Sequence, residues 1–213
     1  ESEIIKTNAR TAELVKLAEN ASRDVSIAFA NELSIISKEL DIDHNEVIKI
    51  ANKHPRVEIL KPGCGVGGHC IAIDPWFIAS QSPENSKLIQ TARNVNRNKM
   101  IWSINLIKDT IKNFETNMGR KPKIGIFGLT FKQDIDDIRE SPALLITENL
   151  IKDGHDLLVC EPNLEKYSNF KLYPEDETIK KADILVFLVA HSKFKNLDFQ
   201  NKEIIDLCGI SKS

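Results

Sequence analysis

The 213-residue chain lacks any apolar run close to the roughly 20 residues that a membrane-spanning helix needs, and no targeting segment is read in it. A membrane partner is therefore not expected. It also lacks a charge imbalance: 29 Lys and Arg stand against 31 Asp and Glu, a formal net charge of −2 without long single-sign blocks. A nucleic-acid partner held through a basic face is excluded on that ground. Cysteine is sparse, with four residues (Cys64, Cys70, Cys160 and Cys208), too few for a disulfide scaffold at this length. An initiator Met is missing too. The chain opens ESEIIKTNARTAELVK, with a helical pattern almost at once, which reads as a piece of something longer cut at a domain boundary, or as the result of processing. No internal repeat is evident. What is present, 41% apolar and 28% charged residues, describes a folded chain of one large or two small domains, expected to be cytoplasmic.

Residues 10–40 hold no Gly or Pro and many good helix formers, and the apolar second half of that segment argues for burial. A short helix is expected over 43–53, ending before Pro55. Residues 61–77, KPGCGVGGHCIAIDPWF, read as a glycine-rich loop. Ser82-Pro83 reads as a helix start, with an unbroken helix over 84–116 that is about 45 Å long, the kind that bridges domains or forms a subunit interface. After residue 118 the pattern changes. Strands are expected at 123–129, 156–162, 182–190 and 202–210, with a helix at 141–155 whose Ser-Pro start and Gly154 stop are both legible. Strands alternating with helices imply a parallel, Rossmann-like sheet.

Four of the chain's nine glycines (Gly63, Gly65, Gly67 and Gly68) fall within six residues. Such a run can bring backbone N–H groups against an anionic or sugar ligand, and Cys70 at its end is placed to attack a bound carbonyl. A cysteine is more often a small buried hydrophobe, the reading given to Cys160 and Cys208. Cys64, His69 and Cys70 form a C-x₄-H-C run that matches no recognised zinc spacing, so no metal site is expected. Lys16, Asn20 and Arg23 share one face of the first helix. That stripe is either solvated surface or, since the surrounding helix is apolar, a buried functional row. In the second half Gly125 and Gly128 give G-x-x-G, short of the full dinucleotide fingerprint, and the cations Lys132 and Arg139 follow.

With these motifs in hand, the chain resembles the nucleotide-sugar 6-dehydrogenases of the UDP-glucose dehydrogenase superfamily. The resemblance lies in the Lys16-to-Asn20 helix, GVGGHCIAIDPWF (65–77) and FKQDIDDIRESP (131–142), and it covers almost the entire chain. It implies an α/β architecture in which an all-helical central dimerisation domain (1–117) carries the cysteine loop and the long helix. A Rossmann-like parallel-sheet UDP-binding domain (118–213) follows, and the family's N-terminal NAD-binding Rossmann domain is absent. It implies NAD-dependent oxidation of a sugar's primary alcohol to a carboxylate in two steps, with Cys70 holding the carbon as a thiohemiacetal and then a thioester. Lys16 and Asn20 would act at the developing oxyanion, and Asp74 would position or activate water. Arg23, His54, Arg56, Gly67, Phe131 and Lys132 would contact substrate, with His54 and Arg56 serving a neighbouring subunit's site, and Arg139 would meet NAD. The implied partners are a UDP-sugar and a second copy of the chain. The wording of 51–78 implies UDP-N-acetyl-D-mannosamine as substrate for surface polysaccharide synthesis, with UDP-N-acetylglucosamine or UDP-glucose as alternatives. A different class of reading stays open, in which the isolated chain is a non-catalytic dimerisation and nucleotide-binding module. Two departures are noted. Cys64 stands where relatives often carry another residue, and Asp206-Leu207-Cys208 departs from the family's D-x-R, which leaves Lys212 as a possible substitute.

Overall fold

The computed structural model describes residues 4–199 and 202–210; Lys212 lies outside them. The chain begins with α1 (Ala9–Glu39), capped by Asn8, whose side chain accepts from the Thr11 N–H at 2.9 Å. Two short helices follow, α2 (His44–Ala51) and α3 (Asp74–Gln81), and then the 32-residue α4 (Lys87–Met118), which ends on Gly119 in the left-handed region.

Helix α3 begins inside the segment 61–77 read from sequence as loop and runs on to Gln81, and the Ser82-Pro83 helix start is corrected. Ser82 closes α3, its N–H donating to the Ile78 carbonyl. Pro83 then sets a turn in which the Asn85 N–H returns to the Ser82 carbonyl at 3.3 Å, so α4 starts five residues later than Ser82. A Ser-Pro pair suits the first corner of a β-turn as well as it suits a helix N-terminus.

The burial expected of the apolar second half of α1 is found on only part of its surface. Ala28, Ala30, Asn31, Ser34 and Ser37 are buried, Asn31 and Ser34 bonding Asn96 and Lys99 of α4, while Phe29, Ile36 and Leu40 are exposed. The buried stripe is made of small residues, which lets the two long helices approach closely. Between them lies a polar cluster. Arg93 Nη1 donates to Asp24 Oδ1 at 2.6 Å, and Asn96 Nδ2 donates to the same carboxylate at 2.8 Å.

The second half is a four-stranded, all-parallel sheet with order β2-β1-β3-β4, formed by β1 (Lys123–Phe127), β2 (Asp156–Cys160), β3 (Ile184–Phe187) and β4 (Glu203–Asp206). The strands are shorter than the apolar runs that announced them, because the runs continue into loops at their C-terminal ends. Side chains alternate between two cores, as the period of a strand requires. Ile124, Ile126, Val159, Ile184 and Val186 point to one face, against α5 (Pro142–Lys152) and Ile104, Ile107 and Ile111 of α4. Phe127, Leu158, Cys160, Leu185 and Phe187 point to the other, against α6 (Glu175–Lys181) and Phe194. Helix α4 therefore packs on α1 with its first half and beneath the sheet with its second, and this fixes the two halves against each other. No helix of the described residues is long and apolar enough to cross a membrane.

Candidate active site

The glycine loop is anchored at both ends by groups from different halves of the molecule. The Gly63 N–H donates to Asn31 Oδ1 at 2.9 Å, and the Asn31 amide donates to Asn96 Oδ1, so the loop leaves the α1–α4 seam. At the other end the Gly68 N–H donates to the Arg139 carbonyl at 3.1 Å, which ties it to the segment that precedes α5. Gly67 is needed for this approach. A Cβ there would stand 2.5 Å from the Glu140 carbonyl oxygen and 2.8 Å from both Phe131 Cβ and Pro142 Cδ. The ring of Phe131 lies against Gly68.

Between the halves runs a cleft of about 600 Å³. Arg23, Lys61, Lys132 and Lys195 line it together with the Phe131 ring, and no Asp or Glu does among the described residues. Four cations, with no acidic side chain among the described lining residues, make an anion-binding surface suited to phosphate groups beside an aromatic wall. Sequence reasoning named Arg23, Phe131 and Lys132 and missed Lys61 and Lys195. Lys61 directly precedes the Pro62 that opens the glycine run, a position that could have flagged it. Lys195 sits in a loop after the 3₁₀ turn Ser192–Phe194, and nothing in its local wording marks it.

Cys70 follows the loop as an exposed thiol, and its carbonyl accepts the Asp74 N–H at 2.8 Å where α3 begins. Asp74 in turn accepts from Asn20 Nδ2 at 2.5 Å, which joins α3 to α1. Asn20 and Arg23 are separated by less than one helical turn. The cleft and the surroundings of Cys70 are thus linked twice, by α1 and by the short chain from Gly65 to Cys70. The pKa of the Arg139 guanidinium is raised by its hydrogen bonds to Asp137 and by that carboxylate's charge, with only a minor contribution from Cys70. The same arginine forks onto Asp137 (2.6–3.0 Å) and holds that carboxyl down at about 2, mainly through these hydrogen bonds.

The other cysteines differ. Cys64 is buried, donates to the Leu188 carbonyl at 3.6 Å, and has its thiol pushed up to about 12 by burial. Burial likewise raises Cys160 and Cys208. Only a thiolate is an effective nucleophile, and of the four thiols Cys70 alone is exposed.

The proposed site residues are not all gathered. Of the two readings left open for the Lys16 stripe, solvated surface holds for Lys16: its side chain is 64% exposed and pairs with Glu19 at 3.4 Å, in the first turns of α1, which are exposed. His54 and Arg56 are exposed in the turn after α2, where His54 Nδ1 accepts the Arg56 N–H, and neither lines the cleft.

A dinucleotide does not fit the sheet half. In a dinucleotide-binding turn, free backbone N–H groups after β1 meet the pyrophosphate. Here the Leu129 and Thr130 N–H groups are taken by the Glu161 carboxylate, at 2.7 and 3.3 Å. Gly128 (φ +95°) serves packing, since a Cβ would stand 2.5 Å from Val189 Cβ. No helix follows the turn until Pro142.

Comparison with known proteins agrees with this division. The model for the central domain of the UDP-glucose/GDP-mannose dehydrogenase family matches residues 10–98, and that for its UDP binding domain matches residues 125–212. A UDP-N-acetyl-D-mannosamine dehydrogenase from Campylobacter jejuni is 49% identical over 98% of this chain and 51% of its own length. An NDP-N-acetyl-D-galactosaminuronic acid dehydrogenase from Ralstonia solanacearum is 46% identical over 97% of this chain and 49% of its own. The solved structure of a UDP-N-acetyl-mannosamine dehydrogenase from S. aureus superposes with a TM-score of 0.82 at 42% identity, covering 99% of this chain and 49% of that one. The chain thus spans about half the length of the relatives it matches. A helical half and a parallel-sheet half, matched in order by the two domain models, place this chain in the UDP-glucose/GDP-mannose dehydrogenase family.

Proposed function

We propose that the chain is the substrate-binding and thiol-bearing part of an NAD-dependent nucleotide-sugar 6-dehydrogenase. Its substrate is UDP-N-acetyl-D-mannosamine, oxidised to the mannosaminuronate for a surface polysaccharide. The observation that carries this reading is the four-cation cleft, free of acidic side chains among the described residues, beside the loop that ends in the exposed Cys70. Lys132, Lys61, Lys195 and Arg23 neutralise the diphosphate, Phe131 lies beside the nucleotide, and the glycine loop directs the sugar toward the thiol.

Oxidising a primary alcohol to a carboxylate removes two hydride equivalents, and NAD is the acceptor that supplies this chemistry, held by a domain outside these residues. The work of this chain is to retain the carbon between the two oxidations. The Cys70 thiolate adds to the C6 aldehyde and its sulfur holds the carbon covalently, so that a reactive aldehyde does not escape. Asn20 donates to the developing oxyanion, and Lys16 joins it once substrate is bound. Asp74, held by Asn20, orients the water that finally displaces the sulfur from the acyl carbon. Arg139 extends from the sheet half toward the cofactor. His54 and Arg56, exposed and away from this cleft, serve the site of a second copy, and the helical half (1–117) provides the contact between copies while the sheet half (118–213) binds UDP.

The test is a panel of UDP-sugars, including UDP-N-acetylglucosamine and UDP-glucose, with the full-length protein and its Cys70→Ala variant, read as NADH production. Uronate should form from UDP-N-acetyl-D-mannosamine with the parent protein and be abolished in the variant. Near-normal turnover by Cys70→Ala would refute the nucleophile. The 213-residue chain alone should bind UDP and make no acid.

A further inference from the structure

Two residues that the mechanism does not use are among the most completely buried polar groups of the sheet half. His191 and the Glu161 side chain are both 0% exposed, and His191 Nε2 stands 3.0 Å from Glu161 Oε2. The Asp134 backbone N–H lies 2.9 Å from His191 Nδ1. A backbone N–H can only donate, so Nδ1 is the acceptor, the proton sits on Nε2, and the imidazole donates to the carboxylate. The Asn163 amide also reaches Nδ1, at 3.0 Å.

Glu161 is saturated in its turn. Oε2 accepts from the Leu129 and Thr130 N–H groups and Oε1 from the Asn163 N–H at 2.9 Å. Burial pushes its carboxyl up, but the hydrogen bonds from His191 and from the Leu129 and Asn163 N–H groups hold it below the usual range. Asp134, a non-glycine residue at φ +58°, turns its carboxylate to the Ser192 N–H (2.8 Å) and hydroxyl (2.6 Å).

The consequence is geometric. The loop after β1 is gripped at its start, residues 129 and 130, and at its end, residue 134, by one buried pair. Between the two grips lie Phe131 and Lys132, the aromatic wall and one of the cations of the cleft. The Thr130 hydroxyl adds a bond to the Lys132 carbonyl at 2.8 Å.

We propose that the Glu161–His191 pair is the positioning device of the substrate cleft: it fixes Lys132 toward the diphosphate and Phe131 under Gly67 and Gly68, and thereby sets the seat of the loop that carries Cys70. This rests on the cleft being the nucleotide site. Neither residue touches substrate. A side chain carried on a backbone already held by a buried, hydrogen-bonded pair leaves less conformational freedom to be lost on binding, which is how positioning residues raise affinity.

The experiment compares the parent 213-residue chain with His191→Gln, Lys132→Ala and the double variant. Amide hydrogen exchange is followed by mass spectrometry, and UDP binding by calorimetry. Exchange in 129–134 should rise in His191→Gln while that of α1 and α4 stays unchanged. UDP affinity should fall roughly tenfold, the scale of one misplaced charge-assisted contact. In the Lys132→Ala background the same substitution should cost less than about half of that factor, because the cation it positions is gone. Unchanged exchange in 129–134, a rise spread evenly over the chain, or an undiminished effect on top of Lys132→Ala would each overturn the proposal. If His191→Gln does not fold, Glu161→Asp, which keeps the charge and shortens the reach, carries the same comparison. A parent chain that ignores UDP, while the exchange change stays confined to 129–134, removes the nucleotide reading and supports the positioning of the loop.

Discussion

Gly67→Ala adds one methyl group to the seam between the two halves. The new carbon would meet the Glu140 carbonyl oxygen at 2.5 Å, with Phe131 Cβ and Pro142 Cδ at 2.8 Å. Two of these neighbours cannot swing away, since one is backbone and one is a proline ring at the start of α5. The glycine loop must therefore lift off the 131–142 segment, straining the Gly68-to-Arg139 hydrogen bond. Overpacking of this kind costs about 1–3 kcal/mol. For a chain of this length, 2 kcal/mol corresponds to a fall in melting temperature of roughly 4–8 °C. The control is Gly63→Ala, where the nearest atom is the Gly65 carbonyl oxygen at 3.8 Å, an ordinary contact. Differential scanning fluorimetry of the two variants beside the parent chain, followed by UDP titration, gives the comparison. Gly67→Ala should melt lower and bind UDP more weakly, and Gly63→Ala should melt near the parent. Equal melting of all three would refute the close packing of the glycine loop on the 131–142 segment as a contact that, beside α4, holds the halves together.

Other outcomes follow from burial. Lys99 donates to the Ser34 hydroxyl at 2.7 Å over the Trp102 ring, and burial lowers its pKa from 10.5 to about 8. Between those values the unfolded chain holds a proton that the folded chain has shed, so folding stability rises with pH across that window, by up to about 3 kcal/mol in all. Urea midpoints of the parent chain should climb from pH 8 to 10.5 relative to those of Lys99→Met, and parallel curves would contradict the burial of a charged amine. Thiol chemistry separates the four cysteines: iodoacetamide should label Cys70 alone in the native chain, with Cys64, Cys160 and Cys208 reacting only after denaturation. Labelling of Cys64 at a comparable rate would count against the packing of its thiol beneath the cleft.

Local wording determined much of this protein. Helix α1 was legible from a run of helix formers, α5 from its Ser-Pro start and Gly154 stop, and the four strands from short apolar runs, because these signals act over a few neighbouring residues. The glycine run and its cysteine were legible for the same reason, and the ordered motifs gave the family. What the wording left undetermined depended on residues distant in the chain. Ser-Pro at 82–83 fits both a helix start and a turn, and the choice fell to α3, which docks on α1 through Asn20 and Asp74. The apolar residues of α1 gave no sign of which face meets α4, since the buried stripe is built of Ala, Ser and Asn. The cleft joins Arg23, Lys61, Lys132 and Lys195 from four separate segments, and Glu161 and His191 meet across two strand ends. No local pattern encodes such meetings: charge complementarity and burial act between surfaces, and those surfaces exist only once α4 has brought the two halves together.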